Sequence, residues 1–230
     1  MATFLEIVND VQRSLREDVT MNTYSSEYST LLSMFVNKAK RMVEDAYDWP
    51  ELRTELSLTT TSGVSSYSLT GSGKRFRVIR DEYDRPYIYN TTTQYQLNKI
   101  VDSAKLRYWQ GTSNTTNNSP EYVGFEGIDA SGDLKVLLYP PPSATEVIKF
   151  YGVVPQGDLN VLAGTDDAVQ IKAPEQLIVL LAWAFAIAER GEDQSFETAE
   201  PYALYKEALN DAISYHDNFA GDEHKDLQVL

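Results

Sequence analysis

The first 50 residues carry apolar side chains at the spacing of amphipathic helices. From Thr3 to about Glu17 they share one face of a 3.6-residue period, and Thr3 followed by Glu6 predicts a capping box. A second helix is predicted from Tyr28 to Ala46, and Pro50 stops it because the residue before a proline disfavours helix. Each helix has one apolar face, so neither is expected to be stable alone.

The middle of the chain changes to short alternating segments, which predict β-strands. The hairpin signal Asp129–Asp133 lies between two of them, and Pro140–Pro142 cannot continue a strand. The stretch Thr91–Val101 fits a short helix better than a strand. The predicted strands are Arg53–Thr60, Tyr67–Leu69, Phe76–Arg80, Tyr87–Asn90, Glu121–Ile128, Leu134–Tyr139 and Val147–Val154.

Two further helices follow. The first begins at Pro174 and ends at Gly191, and its nearly all-round apolar surface places it at the centre of a helical layer. The second runs from about Phe196 to Tyr215. We therefore predict an α+β fold: a helical bundle from residues 1–50 and 170–216, an inserted antiparallel β-sandwich or barrel-like domain (51–169), and an extended C-terminal arm (217–230).

Composition and charge exclude several classes of protein. The 230 residues suffice for one sizeable core or two small ones, and the absence of cysteine excludes disulfides and cysteine-ligated zinc. No signal peptide is recognisable, and the most apolar run is too short to span a membrane. The net charge is −14, and residues 189–230 contain 11 acids and three bases, which disfavours tight binding to DNA. That acidic surface serves either solubility or a partner.

Candidate catalytic groups are sparse. The two histidines, His216 and His224, lie near the C-terminal end, and Gly71–Arg75 lacks the spacing of a phosphate loop. Carboxylate pairs such as Asp166 and Asp167 arise by chance among 34 acids, although two carboxylates facing one cleft would suit a glycosidase. We predict that the protein is not an enzyme and uses no cofactor or metal.

Two segments are candidate contact sites. Lys74, Arg75, Arg77, Arg80 and Arg85 form the basic cluster of an acidic chain, with Arg75 and Arg77 on one face of a predicted strand. They either pair with nearby acids or contact an acidic neighbour, such as another subunit or a tail protein. At the C-terminus, the apolar residues of the arm suit docking in a groove on a partner; they are Phe219, Leu227, Val229 and Leu230.

The order of these elements resembles the head-to-tail adaptor (connector) proteins of tailed bacteriophages, notably the short-tailed type. The likeness covers nearly the whole chain and is a pattern of helix, strand and proline positions. The segments that carry it are Phe4–Gln12, Ala46–Pro50, Gly132–Pro142, Val147–Tyr151, Ile171–Ile178, Ala182–Ala186 and the helix with Tyr202 and Tyr205.

The resemblance implies a virion structural protein, made in the host cytoplasm, that forms a ring, commonly twelve-fold, beneath the portal protein. Such a ring joins the portal to a tail tube or nozzle protein, and double-stranded DNA passes through its channel without specific binding. In that family the C-terminal arm reaches the portal. No membrane contact is implied.

Two alternatives remain open. A carbohydrate- or host-surface-binding module would use the aromatic faces of Tyr- and Trp-rich loops, including Tyr108, Trp109 and Tyr122, although the polar loop Gly111–Ser119 supplies none. Another neck or tail-completion protein is the second alternative.

Overall fold

The chain folds into two compact units. The computed structural model describes residues 1–15, 27–81, 83–97, 99–112, 116–159, 166–191 and 199–226. The helical unit comprises residues 1–47 and 158–230, and the β-unit comprises residues 48–157. The predicted α+β class is confirmed. None of the helices in the described ranges is long and apolar enough to cross a membrane.

The described residues contain α1 (Phe4–Ser14), α2 (Glu27–Ala46), α3 (Ser103–Thr112), α4 (Glu175–Arg190) and α5 (Glu200–Asp226). All except α3 belong to the helical unit. Within that unit α4 packs against α1, α2 and α5. Its buried residues lie on more than one face, among them Leu177, Ala182 and Ala186. A helix that contacts three others needs such a broad apolar surface.

The ends of the helices follow local signals. At the start of α1 the predicted capping box is present: Thr3 N–H donates to Glu6 Oε2 at 2.7 Å, and Glu6 N–H donates to Thr3 Oγ1 at 3.3 Å. At the end of α4, Gly191 adopts the left-handed conformation with φ of +68°, as its predicted role requires.

The predicted extended C-terminal arm is wrong over most of its length. Residues 217–226 continue α5, which extends beyond the predicted end at Tyr215. Extending an existing helix costs far less than starting one, because each added residue closes a backbone hydrogen bond. The helix can therefore continue past residue 216 even though the sequence there shows no apolar periodicity. Residues 227–230 lie outside the described residues.

The β-unit contains two sheets. Strand β9 (Val147–Val153) is central in the first: β1 (Arg53–Thr59) pairs with one edge, and β3 (Arg77–Val78) and β4 (Ile88–Asn90) pair with the other. β5 (Tyr95–Gln96) pairs with β4. The second sheet has the order β2-β8-β7-β6, and its strands are β2 (Ser66–Ser68), β6 (Lys99–Ile100), β7 (Tyr122–Ile128) and β8 (Leu134–Tyr139). All pairs are antiparallel except β6 with β7.

The two sheets are not closed into a barrel, so that part of the prediction is wrong. They share one hydrophobic core, to which the first sheet contributes Ile148 and Phe150 and the second contributes Val136 and Leu138. The predicted hairpin is present: Asp129 Oδ1 accepts hydrogen bonds from the N–H groups of Ser131 and Asp133 between β7 and β8.

Two local predictions are corrected. The segment Thr91–Val101 forms a turn followed by β5 and β6 rather than a helix, because Asn90 Oδ1 accepts hydrogen bonds from the N–H groups of Thr92 and Thr93. Tyr108 and Trp109, which we placed in loops, lie in α3. Asp102 begins that helix by accepting a hydrogen bond from Ala104 N–H at 2.7 Å.

Candidate interaction surfaces

The basic cluster of the β-unit is partly neutralised within the unit. Arg77 lies in β3, and its guanidinium nitrogens are 3.1 and 3.2 Å from Asp48 Oδ1. Arg80 pairs with Asp84 at 2.7 Å. Two of the predicted contact residues therefore have carboxylate partners, which is the first of the two interpretations left open by the sequence.

The turn after β3 is closed by a second pair of charges. Asp81 Oδ1 accepts a hydrogen bond from Arg85 N–H at 2.8 Å, and Asp81 Oδ2 accepts one from the Arg85 guanidinium at 2.7 Å. Burial acts to raise the pKa of Asp81, but the hydrogen bonds from Arg85 and Tyr83 and the charge of Arg85 together outweigh it and leave that pKa below its ordinary value. Arg85 thus stabilises the charged form of Asp81.

Lys74 and Arg75 lie in the turn before β3, so Arg75 and Arg77 do not share one strand as predicted. The guanidinium of Arg75 donates to the backbone oxygen of Gln156 at 2.8 Å. Lys74 is exposed, and no carboxylate in the described ranges pairs with it. Lys74 thus offers a charge that no carboxylate of the described residues compensates.

The aromatic residues of the sugar-binding alternative are engaged with each other. The Trp109 ring centre lies 5.5 Å from that of Tyr122 and 5.3 Å from that of Tyr139. Lys105 lies over the Trp109 ring at 5.1 Å. These contacts occupy part of the surface of the Trp109 ring, which weakens the support for that alternative. Tyr108 remains exposed.

A groove of about 300 Å³ lies beside the loop that precedes β7. Tyr95, Asn118, Ser119 and Glu121 are among the residues that line it. Behind it, the buried carboxylate of Glu146 accepts hydrogen bonds from Ser119 Oγ at 3.0 Å and from the Asn90 side-chain amide. These bonds join the loop to the first sheet, and they satisfy the buried polar side chain of Glu146.

The outer face of the first sheet carries a row of exposed tyrosines that we did not predict as a site. Tyr87, just before β4, and Tyr89, within it, alternate with buried residues. The backbone N–H of Tyr151 on β9 donates a hydrogen bond to the backbone oxygen of Tyr87. Beside them Lys149 pairs with Glu55 at 2.7 Å. A hydrogen bond to Glu55 is the largest cause that raises the pKa of Tyr151. The alternation of Tyr87, Ile88 and Tyr89 in the sequence could have predicted that the two tyrosines share the exposed face.

The predicted arm residues divide between helix and undescribed chain. Phe219 lies in α5, while Leu227, Val229 and Leu230 lie outside the described residues. His216, also in α5, stacks on Tyr47 with ring centres 6.1 Å apart. No group of histidine and acidic side chains in the described ranges is placed to hold a metal ion.

Comparison with known proteins identifies the family. The family model described as SU10 adaptor protein matches residues 2–224, nearly the whole chain, which confirms the resemblance to phage head-to-tail adaptors. No curated protein matches the chain. A phage adaptor is a structural component of the virion, and this role argues against an enzymatic one.

Proposed function

We propose that this chain, which belongs to the SU10 adaptor protein family, forms the ring that joins the portal to the tail tube or nozzle of a phage and surrounds the genome exit channel. The observation that carries the proposal is the family match over residues 2–224, because it includes both units. The helices contributed by the two chain ends form the bundle that packs side by side around the ring, commonly with twelve copies.

The distribution of charge supports a channel that DNA passes without binding. The helical unit contains 22 acidic and nine basic residues, whereas the β-unit contains 12 acidic and 11 basic residues. Nearly the whole net charge of −14 therefore belongs to the helical unit. A duplex binds tightly only where its phosphates are neutralised by Lys and Arg, so an acidic unit allows it to slide.

The C-terminal end of α5 and the residues after it contact the portal in this proposal. The residues that dock are Phe219, Leu227, Val229 and Leu230. Their apolar side chains would lose contact with water in a groove of the portal, which stabilises the complex. The helical backbone at Phe219 lowers the entropic cost of docking relative to an extended arm, because that part of the segment is ordered before it binds.

The basic cluster contacts an acidic neighbour, either the next subunit or a tail protein. Lys74 makes the main ionic contact with this neighbour, because it has no carboxylate partner in the described ranges. Arg75 and Arg77 lie close to it in the chain. Arg80 can contribute only by exchanging Asp84 for a carboxylate of the neighbour. Exposed ion pairs exchange at little cost, so such a contact adds selectivity more than affinity.

Co-sedimentation with DNA-filled heads tests the function and the role of the C-terminal segment. The full chain is expected to sediment with heads that carry the portal and to remain in solution with heads that lack it. A chain that lacks residues 219–230 is expected to keep its fold, by circular dichroism, and to lose sedimentation. Equal sedimentation of both chains would refute the docking segment. Sedimentation that does not depend on the portal would refute the adaptor role.

A further inference from the structure

The outer face of α2 carries two exposed methionines and a lysine. Met34, Lys38 and Met42 lie at four-residue intervals and so share one side of the helix. Met34 is 58% exposed and Met42 is 40% exposed. Lys38 Nζ lies 3.9 Å from the ring centre of Phe185, and no carboxylate in the described ranges pairs with it. This side of α2 is therefore apolar at both ends and basic at its centre.

The outer face of α5 has the opposite charge and a similar apolar content. Leu204, Glu207, Asp211 and Tyr215 follow one another at three- and four-residue intervals on the side away from buried Tyr205. Leu204 is 41% exposed and Tyr215 is 63% exposed. Neither acid pairs with a cation in the part of the chain that the structure describes. The acidic centre thus lies between two apolar positions, as the basic centre does on α2.

We propose that the outer face of α5 in one copy of the chain packs on the outer face of α2 in the next copy. The inference rests on the proposed ring and names the surfaces that would build it. Met34 and Met42 would meet apolar partners, and Lys38 would face Glu207 and Asp211. Removal of apolar surface from contact with water supplies the affinity, and the opposite charges select the partner.

The charges also explain why the contact joins different faces. Two α5 faces in contact would bring Glu207 and Asp211 against their own copies, and like charges across an interface are unfavourable. The α5 face therefore selects α2 and rejects a second α5. An interface between two different faces of one chain repeats from copy to copy and yields a closed ring or an open filament rather than a closed dimer.

Disulfide cross-linking tests the contact, because the chain contains no cysteine of its own. Two variants of the full chain, Met34→Cys/Leu204→Cys and Met42→Cys/Leu204→Cys, are bound to portal-bearing heads and oxidised. At least one is expected to give a ladder of covalent multimers on a denaturing gel, whereas each single-cysteine variant stops at dimers. Met34→Cys/Tyr108→Cys, with its second cysteine at an exposed position of the β-unit, is the matched control and gives no ladder.

Charge exchange supplies an independent test. Lys38→Glu alone, and Glu207→Lys with Asp211→Lys, are each expected to weaken ring formation about tenfold, and the three changes together are expected to restore it. Lys99→Glu, at an exposed position of the β-unit, is the control and has no effect. Rings that form without a ladder, or are insensitive to these charges, overturn the contact and leave the adaptor role standing. Heads that carry no ring at all overturn the adaptor role itself.

Discussion

Gly152 in the central strand β9 has no room for a side chain. A Cβ at this position would lie 2.4 Å from the carbonyl oxygen of Arg77 and 2.4 Å from Cε2 of the Phe76 ring. Carbon atoms in contact normally lie at about 3.5–4.0 Å. Gly152→Ala therefore requires the segment around β3 to move by roughly 1 Å or Phe76 to leave its position.

The size of the effect follows from what must move. Phe76 is buried in the core shared by the two sheets, and Arg77 is paired with β9. Overpacking of a core costs about 1–3 kcal/mol and occasionally more, while full burial of an aromatic side chain contributes about 1.5–3 kcal/mol. Because ring and backbone are both displaced, we expect a loss of about 3 kcal/mol. For a chain of this length that lowers Tm by about 6–12 °C.

Denaturant and thermal unfolding of the purified full chain, followed by circular dichroism, measure this loss. Gly157→Ala is the matched control, since no atom of the described residues lies within 4 Å of the added Cβ. Its stability should change by less than about 0.5 kcal/mol. Phe76→Leu combined with Gly152→Ala should recover part of the loss, because the smaller side chain removes one of the two clashes. A Gly152→Ala variant as stable as the wild type would refute the packing described for β3 and β9.

Two further predictions concern the start of the helical unit. Thr3→Ala removes the hydrogen bond that Thr3 Oγ1 accepts from Glu6 N–H and should lower the free energy of unfolding by about 1 kcal/mol. Thr3→Ser keeps a hydroxyl that can accept this bond and should retain the wild-type stability. Equal unfolding curves for Thr3→Ala and the wild type would contradict the capping box. Burial, followed by the charge of Asp166, raises the pKa of Asp167, whose Oδ1 is buried and has no hydrogen-bond partner among the described residues. The charged form of Asp167 is thus disfavoured in the folded state, so Asp167→Asn should raise Tm at pH 7. This gain in Tm should shrink as pH falls through the raised pKa of Asp167 and vanish below the ordinary pKa of an aspartate. A gain that is independent of pH would contradict this cause.

The sequence predicts structure best where the interacting atoms are neighbours in the chain. The Thr3 and Glu6 capping box, and the left-handed Gly191 at the end of α4, depend on hydrogen bonds that close within a few residues. These helix ends can therefore be predicted from residue types alone, without knowledge of the tertiary structure. The same holds for the turn at Asp129, whose side chain binds the backbone of the hairpin it begins.

The two elements that were predicted wrongly, α3 and the turn at Asn90, also have local causes, but of a different kind. Helix α3 buries only Leu106, so it shows no apolar stripe, and its signal was the N-cap residue Asp102. The turn at Asn90 depends on a side chain that binds the two following residues, whereas we weighed only the spacing of the apolar positions. In both cases a single polar side chain decided the conformation where hydrophobic periodicity was weak.

The interaction surfaces were less predictable, because they depend on contacts between distant residues. Arg77 and its partner Asp48 are 29 residues apart, and no spacing rule reveals that pair. Trp109 likewise packs against Tyr122 and Tyr139, although the sequence shows it merely as an aromatic residue near a polar loop. Which charges and rings remain available to a partner is therefore a property of the fold.

Electron microscopy of DNA-filled heads and virions, together with the mass of the isolated protein, tests whether the chain is the head-to-tail adaptor. We expect a monomer in isolation and a ring of copies beneath the portal, with α5 directed to the portal and the channel open to DNA. Absence of the protein from the junction between portal and tail would refute the adaptor role.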